Sequence, residues 1–312
     1  MLNATPEMSV TNPLDALLAA DGAGVLAIVV DVLGPSYRPV GAFMAILEDG
    51  SRVGSLSSGC IEADLAIHAQ TALTDGGPTS VRYGAGSPFV DIALPCGGGL
   101  EILLVPRPDK VVLQQVVERR DARVLCTLTI DTNSGALRVA DEGQTGPDGV
   151  LFHVRLLPPV RFFVFGKGPE ASTFAALVQS AGYPNLLASP DVETLEAAER
   201  AGCETRHLIK PDYPPALIPD PRTAIVLFFH DHEWEPPILH AALKTDAFYI
   251  GAQGSQRARD ARHAALHEMG VDDAGLERLH GPIGLIPSAR DPKTLAISVL
   301  AEVVAKAMVA GE

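Results

Sequence analysis

The chain has 312 residues, 47% of them hydrophobic and 20% charged, with 38 acidic against 24 basic side chains and a formal charge of −14. That length accommodates two domains with separate cores, and the acidic balance excludes nucleic acid and anionic membrane surfaces as partners. No apolar run reaches the roughly 18 residues of a membrane span, and the four cysteines are too few and too scattered for a disulfide framework, which points to a cytoplasmic setting.

Residues 1–12 lack the pattern of a signal peptide and read as a disordered tail. A helix is predicted from Pro13 to Ala23, followed by a near-continuous apolar strand, Val25 to Val32, of the kind buried on both faces. The segment around Asp49-Gly50 signals a hairpin. It leads into Gly54-Ser55-Leu56-Ser57-Ser58-Gly59-Cys60-Ile61-Glu62, where helical spacing begins at Ile61. Cys60 is thereby expected beside a helix N-terminus, whose dipole favours thiolate. Glu62 and Asp64 fit the same dipole but oppose the thiolate.

Two short strands, Val81 to Gly84 and Phe89 to Leu94, precede Pro95-Cys96-Gly97-Gly98-Gly99. Three glycines after a cysteine offer bare N–H groups close to the sulfur, an anion-binding nest. Asp109 to Arg120 has a helical pattern, and Val124 to Ile130 pairs with Ala136 to Val139 around Asn133-Ser134-Gly135. Glu142 to Gly149 reads as a polar loop, and Pro158-Pro159 as a domain boundary. The resulting division is a cysteine-containing domain over residues 13–108, a connecting helix with a small β subdomain over 109–159, and a Rossmann-like domain with terminal helices over 160–312.

The third region opens on Arg161 to Phe165, then Gly166-Lys167-Gly168-Pro169-Glu170-Ala171 and a helix. This is a buried strand entering a glycine turn whose helix start can receive a phosphate. Strand and helix alternate from there on, as in a doubly wound parallel sheet. The position for an acid gripping an adenosine ribose holds Ser189, with Asp191 two residues late. His230-Asp231-His232 closes another apolar strand and reads as a polar cluster at the ligand edge, without a metal. Arg257, Arg259 and Arg262 share one helix and read as a solvated face that can also reach a phosphate. Cys126 and Cys203 read as packing residues.

Taken together, these blocks resemble the xanthine dehydrogenase accessory proteins of the XdhC and CoxI type over nearly the full chain. The resemblance rests on Gly54 to Glu62, Arg82-Tyr83-Gly84 and Leu94-Pro95-Cys96-Gly97-Gly98. It continues in Val164 to Glu170, His230 to Glu233, Tyr249-Ile250-Gly251-Ala252-Gln253-Gly254-Ser255, Arg278 to Leu285 and Ala296 to Glu302. Ser58, Gln253, Gln256 and Ile286-Pro287-Ser288 depart from the family pattern.

The resemblance implies a mixed α+β domain followed by a Rossmann-like one. It implies an accessory factor that binds molybdopterin, shields it during sulfuration and hands it to a xanthine dehydrogenase-type molybdenum hydroxylase, and it leaves open whether the factor is itself catalytic. A cysteine desulfurase and a homodimer are implied as well. The cofactor-binding residues expected are Cys60, Cys96, Gly59, Gly97, Gly98, Glu62, Gly166, Gly168, His230, Asp231, Gly251 and Ser255, with Cys60 and Cys96 as molybdenum or sulfur contacts. The alternative is an NAD(P)-dependent oxidoreductase with structural cysteines, holding its dinucleotide at the glycine turn.

Overall fold

The protein is described from a computed structural model, in residues 12–57, 59, 61–87, 97–230 and 233–310. The chain divides after Pro158 into two compact units.

The first unit begins with α1 (Pro13–Ala19), capped by the Asn12 side chain, and β1 (Gly24–Leu33). Then come β2 (Phe43–Leu47), β3 (Arg52–Val53), α2 (Glu62–Asp75), β4 (Thr79–Gly84) and β5 (Gly99–Pro106). The five strands form an antiparallel sheet in the order β3-β2-β1-β5-β4. The apolar run of β1 is buried on both faces. Val25, Ala27 and Val29 pack with Leu65 and Ala69 of α2, whereas Leu26 and Ile28 pack with Leu14 and Leu17 of α1.

The second face also takes α3 (Lys110–Asp121) and a four-stranded sheet of β6 (Cys126–Asp131), β7 (Leu137–Ala140), β8 (Gly146–Asp148) and β9 (Leu151–Leu156). Leu113, Val116, Leu128, Ile130 and Phe152 belong to the same core as Leu26 and Ile28, so residues 109–156 share the first unit's core. The expected polar loop at 142–149 contains β8, a strand of Gly, Pro and Asp held by pairing with β9 and not by its own propensity. The strand expected at Phe89 to Leu94 lies outside the described residues.

The second unit runs β10 (Arg161–Gly166), α4 (Pro169–Ser180), β11 (Asn185–Ser189), α5 (Val192–Arg200), β12 (Glu204–His207), β13 (Thr223–Phe228), α6 (Glu235–Ala242) and β14 (Tyr249–Ala252). It ends with α7 (Gln256–Glu268), α8 (Asp273–Glu277), β15 (Leu279–His280) and α9 (Pro292–Val309). The six strands are parallel in the order β12-β11-β10-β13-β14-β15, the doubly wound arrangement predicted. Phe162 and Val164 of β10 face the core that holds α4 and α9. Phe163 and Phe165 face the one that holds α6 and Leu266 of α7. Among the described residues, no helix is long and apolar enough to cross a membrane.

Candidate functional site

Two separate places gather the residues that the sequence singles out, one in each unit. The first is an edge of the antiparallel sheet. Leu33 at the end of β1 and Gly84 at the end of β4 both pair with Gly99 at the start of β5, while β2 starts and β3 ends on the same side. The connection after Leu33, the segment after Val53 and the segment leading into Gly99 therefore all leave from one edge. The last two are the cysteine-bearing segments. Cys60 and Cys96 themselves, with Ser58, lie outside the described residues, and so do Asp231 and His232 of the second unit.

The segment around Gly54 to Ile61 is organised by one carboxylate. Glu62 opens α2, is only 6% exposed, and turns back on the loop before it. Its oxygens accept from the backbone N–H of Leu56 (3.0 Å), Ser57 (2.9 Å) and Ile61 (3.2 Å), and from the hydroxyls of Ser55 (2.8 Å) and Ser57 (2.7 Å). Burial alone would raise this carboxyl, but the donors of Ser57 and Ser55 outweigh it and bring its pKa down to about 2. The resemblance makes Glu62 a ligand contact; in the structure its carboxylate fixes the loop that carries Gly59.

The glycines of this edge divide by what a side chain there would meet. Gly59 (φ +100°) and Gly97 (φ +72°) have left-handed backbone, and no described atom comes within 4 Å of where a Cβ would stand. Gly98 is different, because a Cβ would sit 2.0 Å from the Pro35 carbonyl oxygen. Its glycine serves close backbone packing against the 34–42 connection. That connection also reaches the other cysteine segment through Arg38 Nε, which donates to the Ser55 carbonyl at 3.0 Å. The Arg82-Tyr83-Gly84 block is structural too. Arg82 bridges Asp31 and Glu101, and the Tyr83 hydroxyl donates to Asp64 at 2.7 Å.

The second place is the C-terminal edge of the parallel sheet, where the strand order reverses between β10 and β13. Ligands of such folds lie there. Several features of this turn differ from a simple phosphate cradle. The Gly168 N–H donates to Thr194 Oγ1 at 2.8 Å, Pro169 at the first position of α4 has no N–H, and Glu170 places a carboxylate in the first turn. Ser189 accepts from the Asp191 N–H, and Asp191 caps α5 through the Thr194 N–H. Gly166 and Gly251 are glycines because a Cβ would meet Phe228 O at 2.7 Å and the Tyr249 ring at 2.6 Å. Ser255 spends its hydroxyl on the α7 cap, accepting from the Ala258 N–H.

His230 comes from the end of β13 and is drawn toward two residues. Its Nε2 lies 3.8 Å from Glu170 Oε2 and 3.1 Å from Gln253 Nε2. Gln253, just past β14, is 5% exposed, and in the sequence it stands out only as a departure from a pattern. The expected solvated face of α7 fails at Arg262, which is 2% exposed. Its guanidinium binds Glu235 through two contacts, 2.8 and 3.0 Å, and donates to the Gln253 carbonyl at 2.6 Å. An ion pair this deep must be fully hydrogen-bonded to persist, and it sets the backbone at Gln253. Among the described residues no cluster of His, Cys, Asp and Glu has the arrangement of a metal site.

The blocks at 249–255, 278–285 and 296–302 meet at one node. Glu302 of α9 accepts from the Tyr249 hydroxyl at 2.9 Å and from the Gly284 N–H, and His280 stacks on Tyr249 with ring centroids 4.6 Å apart. Cys126 and Cys203 are buried free thiols, pushed up in pKa by that burial, as packing residues are.

Residues 17–84 match the family described as the XdhC and CoxI family, and residues 162–303 match the XdhC Rossmann domain. The chain is 35% identical over 291 residues to the molybdenum cofactor insertion chaperone PaoD of Escherichia coli, covering 93% of this chain and 85% of that one. It is 24% identical to a probable xanthine dehydrogenase subunit of Bacillus subtilis, covering 93% of this chain and 95% of that one. A crystal structure described as a xanthine dehydrogenase from Bacillus halodurans shares the fold, with a TM-score of 0.76, 23% identity and 96% coverage of both chains. With the matched segments falling in both units and the likeness to PaoD running through nearly all of the sequence, the chain belongs to the XdhC and CoxI family.

Proposed function

We propose that this protein binds the molybdenum cofactor as cargo and delivers it to a molybdenum hydroxylase of the xanthine dehydrogenase type. The observation that carries this reading is the shared sheet edge, from which the Cys60 and Cys96 segments both depart. Thiolate is a soft ligand suited to molybdenum and to its sulfur-rich surroundings. No described atom lies within 4 Å of where a Cβ would stand at Gly59 or Gly97, which is consistent with a bulky group lying beside these turns. The relatives named for cofactor insertion and for xanthine dehydrogenase support the cargo and the client.

In this reading Glu62 holds the residues on either side of Cys60, Ser55 to Ser57 and Ile61, before cargo arrives, which lowers the ordering cost of binding. Cys60 and Cys96 contact the molybdenum or its sulfur. The sulfido ligand gained on the cargo is what the client needs for hydroxylation. A cysteine desulfurase as sulfur source, a homodimer and a cytoplasmic location complete the proposal on the strength of the family resemblance.

The test is anaerobic isolation of the full chain from cells making active cofactor, with pterin and molybdenum measured per chain. Near-stoichiometric cofactor that falls in Cys60→Ser or Cys96→Ser supports the carrier. A cofactor-free wild type that binds NAD(P)H saturably would replace it with the oxidoreductase reading.

A further inference from the structure

α9 is apolar on two sides, and only one of them faces the core. Val299, Val303 and Ala307 pack into the hydrophobic layer that also holds Phe174 of α4. The outer side carries Ile297, Ala301, Val304, Ala305 and Met308, whose helical spacing sets them in one stripe about three turns long. Ile297 is 57% and Met308 71% exposed. The 285–286 segment borders the stripe, because the Leu285 and Ile286 N–H groups donate to the Ser298 carbonyl (3.4 Å) and hydroxyl (2.7 Å). Leu285, 61% exposed, extends the apolar surface there. Of the nearby charges, Glu302 is turned away to Tyr249 and Gly284.

The chemistry of the stripe selects its partner. An interfacial membrane helix lines its polar face with lysines and arginines, where α9 has only Lys293 and Lys306, and the chain's charge of −14 opposes an anionic surface. A second copy fits, because the stripe is self-complementary. Two α9 helices laid antiparallel about a two-fold axis between residues 302 and 303 bring Ile297 against Met308, Ala301 against Val304 and Ala305 against Leu300. Each alanine then faces a larger side chain, and the helix dipoles oppose.

Area sets the strength. A standard interface covers about 800 Å² per partner. The 18 residues of α9 present a face of about 27 Å by 10 Å, so Leu285, Ile286 and the half-buried Leu300 are needed as well. The contact falls at the small end of stable interfaces, about 1,200 Å² in total, which places dissociation at about micromolar concentration.

We propose that the outer face of α9 pairs with the same face of a second copy in this antiparallel two-fold arrangement. A homodimer already belongs to the carrier reading on family grounds. The proposal names its surface and stands on the residues of α9 without the cargo.

The test is sedimentation equilibrium of the full chain, purified from cells unable to make the cofactor, over about 0.1–100 µM. Wild type should pass from monomer to dimer. Ile297→Lys and Met308→Glu each place two charges in the apolar contact and should weaken it by about 30-fold or more. Their thermal unfolding at concentrations where wild type is monomeric should be unchanged, because both side chains point to solvent in the single chain. Mixing the two variants should restore a dimer. The antiparallel register sets the new ammonium against the new carboxylate and leaves the second Ile297–Met308 contact intact.

Homodimers retained by both variants, or lost and not restored on mixing, overturn the proposal. So does a wild type still monomeric at about 100 µM, which would assign the stripe to a different protein. The two readings fail separately. A chain that dimerises through α9 and never carries molybdenum removes only the carrier, and a carrier whose dimer ignores both variants removes only this surface.

Discussion

Replacing Glu62 with Gln tests whether one carboxylate holds the Gly54–Ile61 loop. The side chain is nearly buried and receives backbone and hydroxyl donors from Ser55, Leu56, Ser57 and Ile61. A carboxyl at about 2 in the folded chain, against 4.5 as its ordinary value, favours folding by about 3 kcal/mol at neutral pH. Because the folded value is the lower one, this stability is complete above pH 4.5 and is lost as the pH falls toward 2. In Gln the amide nitrogen also faces backbone N–H groups, which adds a cost that does not vary with pH. Urea denaturation of wild type and Glu62→Gln at pH 7 and pH 3 should show a gap of about 3 kcal/mol or more at pH 7. At pH 3 the gap should be smaller by about 2 kcal/mol. An equal gap at both pH values, or one under about 1 kcal/mol at pH 7, would show that the carboxylate is not the loop's anchor.

Gly98→Ala forces a Cβ against the Pro35 carbonyl, so it should destabilise the first unit by more than about 3 kcal/mol, whereas Gly97→Ala should cost only the roughly 1–2 kcal/mol of left-handed backbone. Equal and mild effects in thermal denaturation, with cofactor binding lost only in Gly98→Ala, would reinstate Gly98 as a ligand contact. Arg262→Met takes the guanidinium away from the buried Glu235 carboxylate and should cost about 3–5 kcal/mol, most of it recovered when Glu235→Leu is added. A double variant no more stable than Arg262→Met would mean that the pair contributes more than mutual neutralisation.

Local conformation and the two kinds of sheet are legible in the order of the amino acids. The apolar run of β1, the Asp-Gly hairpin and the strand–glycine–helix start at Arg161 to Ala171 are encoded by neighbouring residues, because periodicity and turn chemistry act over a few positions. The alternation of Phe162 and Val164 with Phe163 and Phe165 supplies both faces of β10 in the same way. Where local propensity is weak, the sequence is silent. β12 (Glu-Thr-Arg-His) and β15 exist because a neighbouring strand offers its hydrogen bonds, and α8 is one short capped turn.

Which segments meet is settled by the folded chain. That the two cysteine-bearing segments leave one edge follows from β5 lying between β1 and β4, a pairing of strands some 70 residues apart. Arg262 reads as solvated on its own helix and becomes a buried anchor only because α6 brings Glu235 to it. Gly98 resembles a flexible nest residue until the 34–42 connection is laid against it. Burial and close approach are properties of distant chain segments brought into contact, and no window of sequence contains both partners.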